Sequence, residues 1–176
     1  MLSLVNTQSK DINQDQLHFF SDNYNLWYHL PNDPDWSMNS YKLIDTIESI
    51  EKYLEINDML NEEVIKYCML FLMKSEISPR WEDKFNKDGG CFSYKVTNKH
   101  VKETWRDLSF LFQGKMISEN KDFVNDINGI SISPKKSFCI IKLWLKSCNF
   151  INPKIVSSEL IHLNPIGCLF KKHSNN

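Results

Sequence analysis

Two of the five tryptophans in this 176-residue chain sit where burial does not easily explain them. Trp36 lies in NDPDWS and Trp81 in SPRWEDK, among Asp, Pro, Asn and Lys. Loops run over protein surfaces, and an indole left there exposes apolar area unless a ligand or another segment covers it. A loop anchor is one reading, and a stacking surface for a flat ligand is the other. Glu82 follows Trp81 directly. An ionised carboxylate can accept two parallel hydrogen bonds, and the N1–H and 2-amino groups of guanine donate such a pair. Two indoles and one carboxylate could therefore stack and read a single purine. The Trp-Glu pair alone is weak evidence, because most surface glutamates are merely solvated.

A purine carrying phosphates needs positive charge beside it. Net charge is −1, which argues against a surface lying along a duplex. The total conceals an asymmetry. From Lys135 onward there are seven lysines against Glu159 alone, so that segment carries +6 and the rest −7. A chain that grips a few phosphates at one point could look like this, as could a chance cluster on a solvated face. Lysine far outnumbers arginine (19 to 2), a bias that goes with AT-rich codons, as in some protists and large viruses. Cys68, Cys91, Cys139, Cys148 and Cys168 are odd in number and lack metal-ligand spacing, so reduced thiols and no metal are expected. No segment reads as a signal peptide or membrane span, and a cytoplasmic monomer without a cofactor is expected.

The elements that must position these residues are legible in outline. Residues 1–17 read as a polar tail and 18–176 as one domain. Strand-like segments are Asn25–Leu30, Tyr41–Ile47, Tyr67–Lys74, Cys91–Thr97, Ile127–Ser133, Ser137–Lys146 and Ile166–Lys172. Three helices are expected: Glu48–Asp58, Lys99–Gln113 behind an Asn98 cap, and Pro153–Leu163. Trp27 and Trp105 fall inside periodic elements and are assigned to the core. Strands mixed with helices, without a regular alternation, imply an α+β domain. An antiparallel sheet with helices on one face leaves the other face free for a ligand.

The string SPRWEDKFNKDGGCFSYKV, with NDPDWS upstream and GISISPKKSFCIIKLWLK downstream, resembles the cap-binding eukaryotic initiation factor four-E family. LWYHLPNDPDW is similar to that family's first strand and first cap loop, WEDKFNKDGG to its second cap loop, and VKETWRDLSFLFQG to its second helix. The resemblance implies a single curved antiparallel sheet of seven or eight strands, three helices on its convex face and a cap pocket on its concave face. It implies that Trp36 and Trp81 sandwich 7-methylguanine, Glu82 reads the guanine edge and Trp144 touches the N7-methyl group. Lys135 or Lys136 falls where the family reaches the triphosphate. Lys142 shares a strand face with Trp144 and Ile140, and Ile140 stands where the family usually has a lysine. Lys142 is therefore expected to substitute for it, the competing reading being a lysine that extends to solvent. The implied partners are capped messenger RNA and an initiation-scaffold or repressor protein on the helical face, at His18, Ile50, Leu54, Arg106, Asp107 and Phe110.

The chain departs from the family in three places. Cys91 stands where many members have an arginine on the phosphate side, and lysines replace arginine in the phosphate loop, giving point charges for bidentate forks. Leu54 replaces the key tryptophan of the partner surface, and Arg106 an apolar residue of the second helix, so altered partner specificity is expected. The chain stops soon after its last strand, so contacts to the first transcribed nucleotide are expected to differ. The implied activity is cap binding that promotes initiation, with no catalysis. The alternative is a cap-binding repressor that does not engage the usual scaffold. A decapping enzyme would need clustered acids or a histidine pair near the phosphates, and the segment after Lys135 has a single acid.

Overall fold

The computed structural model describes residues 17–173. Seven strands, β1 (Phe19–His29), β2 (Lys42–Ser49), β3 (Met69–Lys74), β4 (Gly90–Thr97), β5 (Ile127–Pro134), β6 (Phe138–Leu145) and β7 (Leu169–Lys172), form one sheet. Their order is β2-β1-β3-β5-β6-β4-β7, and every neighbouring pair is antiparallel. Every strand segment expected from the sequence is present, displaced at its ends by up to six residues.

Successive residues of a strand point to opposite sides, and here both sides of the central strands are apolar. Leu70, Leu72, Ile130, Ile132, Ile141 and Leu143 point to the helices and join one large core. Phe71, Met73 and Trp144 alternate with them and join a second cluster with Tyr41 and Ile77. Helices α1 (Ile50–Met59), α2 (Glu62–Tyr67), α3 (Val101–Gln113) and α4 (Lys121–Asp126) supply Tyr53, Ile56, Ile65, Trp105, Leu108, Phe112 and Phe123 to the first core. Trp105 is core as expected. Trp27 is not: it is only partly buried and packs on the second cluster.

The helices correct the sequence reading. Helix α1 begins at Ile50 because the Ser49 hydroxyl accepts from Lys52 N–H, while Ile47 belongs to β2. Helix α3 starts after His100, which makes no side-chain cap bond, and not at Asn98, whose side-chain oxygen instead accepts a long 3.7 Å bond from the Cys139 thiol. The expected third helix shrinks to a 3-10 turn at Pro153–Ile155. Ile155, Val156, Ser157 and Ser158 are weak helix formers, and Ser157 N–H is taken by the Ile117 carbonyl. Helices α2 and α4 went unseen because six residues are too few to show a period. Each starts at an asparagine cap: Asn61 Oδ1 accepts from Val64 N–H, and Asn120 Oδ1 from Phe123 N–H.

Gly89 ends the Trp81 loop beneath β6. A Cβ there would lie 1.9 Å from the Leu145 carbonyl oxygen and 2.8 Å from the Lys146 carbonyl carbon, both fixed backbone. Gly89→Ala is expected to destabilise the fold by about 3 kcal/mol, at the upper end of overpacking costs, measured as a lower urea midpoint at unchanged slope.

Candidate functional site

The face of the sheet that carries no helix bears a cavity of about 470 Å3, of a size that holds a small organic ligand. Its lining includes Trp36, Trp81, Glu82, Lys142 and Trp144. Three separate segments of sequence thus converge on it.

A continuous run of rings forms the floor. Trp36 lies edge-on to Tyr41 (6.5 Å between centroids), Tyr41 to Phe71 (5.3 Å) and Phe71 to Trp144 (6.2 Å). His173 tilts over Trp144 at 5.0 Å and stacks parallel to Trp81 at 6.0 Å. Trp144 is 2% exposed, and its Nε1–H donates to the Ser131 hydroxyl across the β5–β6 register. This fixes the floor indole in plane. Sequence reading missed Tyr41, Phe71, Ser131 and His173, because only strand pairing brings them beside the loop tryptophans.

The two loop indoles are held by different means. Trp36 stacks on the buried His29 ring at 4.3 Å with planes 9° apart, so one face is covered and the residue stays 51% exposed. His29 Nε2–H donates to the Asp35 carbonyl at 2.8 Å. The Asp35 carboxylate accepts from Ser37 N–H and Oγ–H, which closes the turn and holds that carboxyl below its ordinary range.

Trp81 sits on a loop cross-braced by buried amides. Asn86, 0% exposed, donates to the Ser78 and Arg80 carbonyls, and its own Oδ1 accepts from Asn128. Asn128 also donates to the Phe85 carbonyl, and it is the extra residue of a bulge between Ile127 and Gly129. Burial opposes ionisation of Asp83, but bonds from Phe85 N–H and from the Ser78 hydroxyl and N–H outweigh it and depress its pKa. His173 Nδ1–H donates to the Asn86 carbonyl, and burial pushes the His173 pKa down.

Glu82 stands at the rim with its side chain 72% exposed, held only by a 3.5 Å approach to Arg80 Nε. Its acceptor oxygens remain available to a ligand edge. Lys142 Nζ lies 5.2 Å from the Trp81 ring centroid. Lys135 and Lys136 lie outside the lining, exposed at the β5–β6 turn.

On the helical face His18, Ile50, Leu54, Arg106, Asp107 and Phe110 fall on α1, α3 and the chain just before β1. The His18 ring lies 2.7 Å from Glu51, and this bond, with the one from His18 N–H, depresses the Glu51 pKa. Tyr53 joins the two helices, donating to the Arg106 carbonyl and packing on Phe110 at 5.7 Å. Leu54 and Phe110 are exposed (51% and 38%), and Arg106 pairs with Asp107.

One histidine pair that sequence spacing hides does form, away from the pocket. His100 and His162 stack at 4.0 Å beside Glu103. Ring lone pairs lie in the ring plane, so two nearly parallel imidazoles cannot both aim at one ion, and the trio is not a preformed metal site. Among the described residues no helix is long and apolar enough to cross a membrane.

The family model described as Eukaryotic initiation factor 4E matches residues 19–173. Eukaryotic translation initiation factor 4E of Eremothecium gossypii is 29% identical over 150 residues, covering 81% of this chain and 68% of that protein. An Acanthamoeba polyphaga mimivirus homologue is 24% identical over 122 residues, covering 61% and 45%. The chain thus spans about two thirds or less of the length of these relatives. Among solved structures, Ascaris suum eIF4E-3 with m7G cap superposes with a TM-score of 0.70 at 16% identity, covering 92% of this chain and 94% of that one. Schistosome eIF4E with m7GpppG and 4E-BP gives 0.71 at 22% identity, covering 89% of each. At such identities the superpositions speak for the fold.

Two outcomes test the bracing of Trp81. Asn86→Ala strands the Ser78 and Arg80 carbonyls and the Asn128 amide, and is expected to cost about 2–3 kcal/mol, with faster amide exchange over residues 78–89. An unfolded His173 titrates near 6.5, and the folded ring binds its proton less readily. Unfolded chains therefore take up the proton first, and stability is full above that pH and falls as pH drops below it. Urea titrations between pH 7 and 5 are expected to show this fall in the natural chain and a flatter profile in His173→Gln.

Proposed function

The chain belongs to the eukaryotic initiation factor 4E family, and we propose that it binds the 7-methylguanosine cap of messenger RNA between Trp36 and Trp81. The observation that carries this reading is the convergence of both loop indoles, the exposed Glu82 carboxylate and the buried Trp144 on one cavity. The free face of Trp36 and the ring of Trp81 take the base, and Glu82 accepts from its N1–H and 2-amino groups. Trp144 forms the floor beneath the N7-methyl group, and Lys142, with Lys135 or Lys136, meets the triphosphate.

The chemistry is recognition without bond making. Methylation at N7 gives the purine a delocalised positive charge, so flanking indoles add about 0.5–2 kcal/mol of cation–π attraction to stacking worth about 1–3 kcal/mol per base. Charged hydrogen bonds to Glu82 contribute about 1.5–3 kcal/mol more. Selectivity for the methylated base arises from charge. Such recognition needs no cofactor or metal.

The relatives this chain resembles are initiation factors, and one of the similar structures holds a protein described as 4E-BP. The exposed Leu54 and Phe110 with Tyr53 between them supply an apolar strip to which a scaffold peptide can dock, and the chain promotes initiation through that partner. The Arg106–Asp107 pair beside the strip sets its specificity. A repressor that holds the cap without engaging the scaffold is distinguished by the same surface.

Fluorescence titration with 7-methyl-GTP and GTP tests the pocket. The methylated nucleotide is expected to bind about ten- to a hundredfold more tightly, and Trp81→Ala and Glu82→Ala to abolish the difference. Equal weak responses would sink the reading. Leu54→Glu is expected to weaken capture of a scaffold segment by about tenfold or more while leaving cap affinity unchanged. Undiminished capture would place the partner elsewhere.

A further inference from the structure

Strand β7 brings a cation to the pocket that no sequence motif indicated. Its register sets Lys171 opposite Cys91 of β4, and Cys91 opposite Trp144 of β6. Directly paired residues of an antiparallel sheet share a face, so Lys171 stands on the open face in the same cross-strand row as the floor indole. Lys142 stands one row along, opposite Ser93 and Ser131.

Both ammonium groups reach the same indole. Lys171 Nζ lies 5.3 Å from the Trp81 ring centroid and Lys142 Nζ 5.2 Å. Both also bear on the thiol between them: burial pushes the Cys91 pKa up, and Lys142 and Lys171 pull against it. Among the described residues neither lysine makes an ion pair. Two like charges beside one ring repel unless an anion lies between them. A cationic base stacked on Trp81 would add a third positive charge. The site tolerates that only if the ligand brings its own negative charge to the same place.

We infer that Lys171 and Lys142 form a two-ammonium clamp for the phosphate chain of the nucleotide whose base stacks on Trp81. This inference rests on the cap-binding reading and names the residues that hold its phosphates. Lys171 supplies, from the neighbouring strand, a charge that the buried Cys91 at the centre of the row cannot. Point charges on flexible stems give attraction without a fixed fork, so the clamp senses how much phosphate charge is present more than its geometry.

Calorimetric titration of 7-methylguanosine mono-, di- and triphosphate tests this without relying on Trp81 as a reporter. Lys171→Ala is expected to weaken the triphosphate by about tenfold and the monophosphate far less, and to lower the salt slope of binding by about one. Lys171→Arg is expected to retain most of the affinity. Unchanged triphosphate affinity and salt slope in Lys171→Ala would overturn the clamp while leaving preference for the methylated base intact. An equal loss for all three ligands would also overturn it, showing that Lys171 acts through Trp81. If the natural chain binds none of the methylated nucleotides, the cap reading itself fails and the clamp with it.

Discussion

A side chain on an antiparallel strand has only two directions available, and in this sheet both are apolar at the centre. Helices cover one side, so the alternating set on the other side is buried by its own rings and by loops. Tyr41, Phe71 and Trp144 pack on one another, edge against face. What remains is a strip of rings that two loops overhang. The cavity exists because an apolar surface of this kind is stable when partly roofed and is readily completed by a flat ligand.

The loops reach the strip by contrasting routes. The Trp36 loop is short and braced by its own aspartates, with His29 from the end of β1 as a backing plate. The Trp81 loop is longer and depends on side chains far along the chain. Asn128 enters it from a bulge in β5, and His173 from the residue after β7. Buried amides bonded on every arm are costly to disturb, so Trp81 is the firmer wall and Trp36 the more accessible one. A ligand that slides in from the Trp36 side would find the far wall already in place.

The same sheet separates two tasks. Side chains of one strand parity hold the helices, and those of the other parity make the pocket. Substitutions on the helical surface therefore reach the pocket only through the core between them. That separation lets the helical surface vary while the cavity keeps its indoles and its carboxylate.

Local chemistry written in the sequence determined much of this protein. β-branched and aromatic enrichment with partial alternation marks all seven strands, and a tryptophan in a polar loop followed by glutamate marks a candidate base reader, because those signals need only neighbouring residues. The resemblance to a known family adds the expectation that Trp36 and Trp81 act together. Short helices escaped, since six residues carry no period, and the run from Pro153 failed as a helix because a distant carbonyl captured Ser157. Tertiary structure alone decided what lay between. It set the strand order that places Lys171 beside Cys91 and Trp144, the bulge that sends Asn128 into the Trp81 loop, and the stacking of His29 and His173 on the indoles. Those contacts join residues separated by up to 92 positions, and no local pattern can encode which strand becomes whose neighbour.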